Sequence, residues 1–66
     1  MKRIYSMVFY NGITFSKEVH ELQHNAIAEF EHEAYGESCI WAWMLDAHDD
    51  GRIVASFSRE NGLKSF

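Results

Sequence analysis

Proline is missing from all 66 residues, and cysteine occurs once. One cysteine cannot close an internal disulfide, so the fold does not depend on oxidation, which points to a cytosolic setting. Long apolar runs are missing as well. The longest, Cys39-Ile40-Trp41-Ala42-Trp43-Met44-Leu45, is far too short for a membrane helix. The basic start Met1-Lys2-Arg3 is followed by an apolar stretch broken at Ser6, which leaves no signal-peptide core. Positive charge is scarce. Six Lys and Arg stand against ten Asp and Glu, and the net charge of −4 disfavours direct binding of a phosphate backbone. Neither a glycine-rich phosphate loop nor a paired-cysteine motif occurs.

Apolar residues make up 47% of the chain and aromatics 15%, which argues against disorder. At this length folding buries only ~60% of the unfolded surface, so one small domain has to rely on its large rings. The composition reads as a soluble, acidic mini-domain of the cytoplasm.

Arg3 to Phe9 alternates with Tyr5, Met7 and Phe9 on one side, and Tyr10-Asn11-Gly12 follows as a hairpin signal. A three-residue loop closed by a left-handed Gly12 gathers Tyr5, Met7, Phe9, Ile13, Phe15 and Val19 on one face, whereas a two-residue loop scatters them. Hydrophobic pattern sets register, and it selects the three-residue loop. From His24 to Tyr35 the period changes. Ala26, Ile27, Phe30 and Ala34 form one apolar stripe, with Glu29, Glu31, His32 and Glu33 turned away, which is an amphipathic helix of about three turns. Asn25 is its N-cap candidate and Gly36 its left-handed stop.

A second hairpin runs from Cys39 to Ala47 and from Arg52 to Ser58. With Asp49-Asp50-Gly51 as a three-residue loop, Trp41, Trp43, Leu45, Ala47, Ile53, Ala55 and Phe57 share one face, the expected core beneath the helix. Ile40, Ala42, Met44, Asp46 and Val54 take the other. The expected fold is α+β: ββαββ, an antiparallel sheet of two hairpins with one helix packed on one face. A single domain spans 1–59, and 60–66 is a patternless tail that frays.

Four histidines invite a metal reading, but His20, His24, His32 and His48 lack the tight three- or four-ligand spacing of zinc sites, so no metal or other cofactor is expected. Cys39, Asp46 and His48 are the residue types of a nucleophilic catalyst, yet strand parity sets Cys39 against the other two, and no catalytic role is expected. Trp41, Trp43 and Phe57 alternate as base-stacking aromatics do, but the nearby charges Asp46, Asp49 and Asp50 are of the wrong sign. The remaining candidates form a partner-binding set: Ile4, Val8, Ile40, Ala42, Met44 and Val54 on the uncovered sheet face, with Glu29, Glu31 and Glu33 on the helix. Uncovered apolar surface points to a partner or a second copy, and carboxylates answer a basic nucleic-acid-binding surface on a protein target.

The ββαββ order, the Phe15-Ser16-Lys17-Glu18-Val19 strand and the hairpin Ile40 to Val54 resemble the small Dmd antitoxins of T-even bacteriophages. The similarity covers most of Met7 to Arg59. It rests on that Phe-Ser/Thr-Lys-Glu-Ile/Val strand, on aromatic and alanine positions in the helix, and on an Asp-rich turn before the last strand; the first hairpin loop is shorter here and a C-terminal extension is present. The resemblance implies a phage protein, working in the host cytoplasm, that binds a toxin ribonuclease directly and blocks it. An anti-CRISPR or anti-restriction protein acting by nucleic-acid mimicry shares the size and acidity. A homodimer joined through its outer sheet faces is the expectation from a structural class.

Overall fold

The computed structural model describes residues 1–66. Its elements are β1 (Arg3–Tyr10), β2 (Thr14–Glu21), α1 (Gln23–Gly36), β3 (Trp41–Asp46), β4 (Arg52–Ser58) and β5 (Gly62–Ser65). The strands form one antiparallel sheet in the order β2-β1-β3-β4-β5, and α1 covers one side of it. The α+β fold with ββαββ order is present, extended by a fifth strand. The tail expected to fray is that strand: Leu63 pairs with Phe57, and the Phe66 N–H reaches the Val54 carbonyl.

The first hairpin follows its pattern. Tyr10 pairs with Thr14 and Phe9 with Phe15, so three residues form the loop, with Gly12 at φ 107°. Tyr5, Met7 and Phe9 are fully buried, and the Phe9 and Phe15 rings stack at 5.0 Å. Ile13, at the loop tip, stays exposed instead of joining them. The helix stripe also stands, with Ala26, Phe30 and Ala34 buried and Ile27 packed beside them.

Both helix ends are built differently from expectation. Asn25 lies inside the first turn; the cap position is Leu22, which has no capping side chain, and the Glu21 carboxylate instead accepts the Leu22 N–H at 2.9 Å. At the other end Gly36 is helical. The left-handed residue is Ser38, at φ 54°, whose N–H bonds the Tyr35 carbonyl while the Cys39 N–H bonds that of Ala34. That pair of bonds is a Schellman motif with serine where glycine is usual.

The second hairpin departs most. Asp46 pairs with Arg52, which leaves five residues in the turn, and the register shifts between Met44 and Leu45, so that Leu45 faces Ile53 but Met44 faces Ala55. Val54 is the extra residue of this bulge. One inserted residue exchanges the faces of a strand relative to its neighbour. Ala55 and Phe57 therefore face the helix, as expected, together with Ala42 and Met44 rather than with the tryptophans. Volume supplies the reason. Across one inward row the sheet reads Phe15, Phe9, Ala42, Phe57, Leu63, and Phe30 descends from the helix onto it. A core already holding those rings has room for alanine at its centre and none for two indoles.

Candidate outer-face docking surface

Alternation along the paired strands fixes what the uncovered side of the sheet displays. Three rows cross it: Thr14, Tyr10, Trp41, Ser58, Gly62; then Ser16, Val8, Trp43, Ser56, Lys64; then Glu18, Ser6, Leu45, Ile53. Ile4, paired with His20, extends the first strand's contribution. The two central strands, β1 and β3, carry the apolar side chains, and hydroxyl residues flank them on either side. Trp43 is 45% exposed, and Ile4 and Ile53 are close behind.

On β1 and β3, running inward from the end of the face beside the first hairpin loop, stands an aromatic ridge. The Tyr10 and Trp41 rings stack at 5.3 Å with an interplanar angle of 17°, and Trp41 meets Trp43 at 4.8 Å and 30°. Aromatic contacts of this kind add about 0.5–1.5 kcal/mol beyond burial, so the rings brace one another in a polar solvent.

The predicted partner-binding residues separate into three groups. Ile4 and Val8 lie on the outer face. Ala42, Met44 and Val54, expected beside them, are fully buried in the core because the bulge reverses their side of the sheet. Ile40 sits just before β3, 42% exposed, lining a shallow groove of about 350 Å³ with Trp41, Ser58, Arg59 and Glu60. Glu29, Glu31 and Glu33 ride on α1, the opposite layer, and Glu33 is engaged by Lys17 at 3.3 Å. A single flat contact therefore cannot use the outer face and these carboxylates together. Tyr10, Trp41, Trp43, Leu45 and Ile53 were not among the predicted site residues. One signal does mark them: Ile53-Val54-Ala55 is an apolar triplet that breaks the alternation of its strand, as a bulge would.

Of the other constellations, Cys39 stands apart from Asp46 and His48. Asp46 is wholly buried, its carboxylate held by Arg3 at 2.6 Å and by the His48 N–H at 2.9 Å. Cys39 lies at the opposite end of β3. It lines a groove of about 480 Å³ with Ala34, Tyr35, Ser38, Phe57 and Arg59, and burial, ahead of nearby Glu37 and Glu33, pushes its thiol above the ordinary range. A thiol held protonated is a weak nucleophile. The four histidines are exposed, and no group of three or more His, Cys, Asp or Glu side chains is arranged to hold a metal ion. No helix is long and apolar enough to cross a membrane. Comparison with models of protein families, with curated protein sequences and with solved structures returns no match.

Proposed function

We propose that this chain is a non-catalytic inhibitor that acts by covering a protein target, with the outer face of its sheet as the contact. The observation that carries the reading is the Tyr10–Trp41–Trp43 ridge, with Trp43 exposed and Tyr10 and Trp41 partly so, on the one sheet face that the helix does not cover. Such a patch, apolar at the centre and hydroxyl-rich at its border, has the composition of a protein interface, and tryptophan and tyrosine are the residues that dominate interface energies. The resemblance to Dmd antitoxins supplies the class of target: a toxin endoribonuclease of an infected host, met in its cytoplasm. The helix carboxylates then act at a distance, steering approach to a basic surface.

The test is inhibition of RNA cleavage by a bacterial toxin endoribonuclease, with Trp43→Ala compared against the pair Glu29→Lys and Glu31→Lys. Trp43→Ala should weaken inhibition by about 30-fold, corresponding to roughly 2 kcal/mol of a central interface residue. The charge reversals should slow association and reduce its salt dependence. The opposite pattern, inhibition lost on charge reversal and kept in Trp43→Ala, would move the contact to the helix and favour nucleic-acid mimicry.

A further inference from the structure

We infer that, without its target, the outer face closes on a second copy of this chain in a two-fold dimer, with Glu18 of each copy against Lys64 of the partner subunit. The inference rests on the reading of this face as a protein-docking surface. It says what occupies that surface when the target is absent.

Strand order carries the symmetry. With the order β2-β1-β3-β4-β5, β3 is the middle strand, and two strands flank it on each side. Among the strand residues facing outward there are two formal charges, Glu18 on one edge strand and Lys64 on the other. They belong to adjacent rows, the Trp43 row ending at Lys64 and the Leu45 row at Glu18. Sheets packed face to face lie about 10 Å apart with strands nearly aligned. Two kinds of two-fold axis meet that condition.

An axis running across the strands stacks β2 on β2 and β5 on β5. Each edge then meets its own charge. An axis running along the strands stacks β3 on β3, β1 on β4 and β2 on β5. Glu18 then meets Lys64 of the partner subunit at both borders, and the row offset is within reach of two long side chains. In the same arrangement Trp43 and Leu45 of both copies meet at the centre, Val8 and Tyr10 lie against Ser56 and Ser58 of the partner subunit, and Thr14 and Ser16 on the edge strand lie toward the rim. Charge selects the second axis; Trp43 and Leu45 of β3 lie over β3 of the partner under either one.

The size of the face sets the strength. Five strands span about 20 Å and the rows about another 20 Å, a flat footprint of roughly 400 Å². Over both copies that is about 800 Å², well below a standard-size interface, so the dimer is weak and reversible. A target that takes the ridge must displace the second copy, and inhibitor concentration then sets how much of the protein is free to act.

Sedimentation equilibrium on the intact chain tests this with four variants: Glu18→Lys, Lys64→Glu, the two combined, and Trp43→Asp, each checked for folding by circular dichroism. The wild type should show a reversible monomer–dimer equilibrium below millimolar concentration. Each single reversal should weaken the dimer about tenfold, since both borders then carry like charges, and the combined reversal should restore it. A wild type that stays monomeric at millimolar concentration, or a combined variant as weak as its singles, overturns the dimer. Parallel assays of toxin inhibition separate the two readings. A monomeric wild type whose Trp43→Asp variant no longer inhibits removes the dimer but keeps the docking face. A dimeric wild type whose Trp43→Asp variant is monomeric yet still inhibits keeps the dimer and removes that face as the inhibitory contact.

Discussion

Arg3 and Asp46 are 43 residues apart and meet with the guanidinium Nη1 2.6 Å from the carboxylate Oδ2. The pair ties the start of β1 to the turn after β3. Asp46 also accepts the His48 N–H and, through its backbone carbonyl, those of Asp49 and Gly51, so one residue organises the whole turn. Its burial is tolerable only because the charge is answered. Arg3→Ala should therefore cost more than its 41% side-chain exposure suggests, about 2–4 kcal/mol, because the carboxylate stays behind in the core. Asp46→Asn should cost less, since the amide oxygen keeps the turn bond and the freed arginine reaches water. Urea unfolding of both variants measures the order.

The end of α1 contains two residues whose roles were exchanged between expectation and structure. Ser38 holds the left-handed position at φ 54°, where a side chain is disfavoured, so Ser38→Gly should stabilise by about 1 kcal/mol. Gly36 is helical, and a Cβ built there meets nothing within 4 Å. Gly36→Ala should thus stabilise by about 0.5–1 kcal/mol. Thermal melts of the two variants and their combination decide the matter; destabilisation by Gly36→Ala would return the stop signal to Gly36.

Two titrations act at opposite ends of the pH scale. The Leu22 N–H, then Asn25, hold the Glu21 carboxyl below its usual 4.5. A carboxyl lowered in the folded state contributes stability that is present above its unfolded value and is lost as pH falls through the folded one. Glu21→Gln should flatten the acid limb of a stability profile below about pH 4.5. The group is exposed, so the effect is modest.

Cys39 works in the other direction. Its thiol is pushed above 9.0 by burial, so the unfolded chain ionises first. The associated stability is intact below the unfolded thiol's value and falls as pH rises toward the folded one. Cys39→Ala should remove that alkaline slope at the cost of a small cavity. In the wild type, a thiol reagent should label Cys39 at the rate of unfolding rather than at that of a free thiol.

Met44 and Trp43 are neighbours with opposite fates. Met44→Asp places an unpaired charge in the core and should abolish folding by circular dichroism. Trp43→Ser lies on the outer face and should leave the chain folded by circular dichroism, with a loss of about 1–2 kcal/mol from the contact with Trp41.

The first hairpin and the helix stripe were legible because each follows a strict period with one geometric solution. Tyr5, Met7, Phe9, Phe15 and Val19 can share a face in one register only. The second hairpin was not legible to the same rule. Apolar residues lie on both sides of β3, so pattern does not choose its face, and the bulge at Val54 defeats simple parity. What decides is volume, the sum of rings already under the helix, and volume belongs to the assembled core rather than to any one strand. The candidate site inherited that error: Ile4 and Val8 came from the legible hairpin and stayed on the outer face, while Ala42, Met44 and Val54 came from the other and moved inside. The last strand was missed because four residues pairing with a neighbour need no internal period to be held.

The ridge described above is also an optical device. Two indoles 4.8 Å apart, with a phenol stacked beside them, are electronically coupled chromophores on an open surface. Their exciton signal in circular dichroism and their shared emission depend on the angle between rings and on the solvent above them. Whatever settles on the sheet must perturb both, so occupancy of this surface can be followed by light alone, with no label attached to the chain.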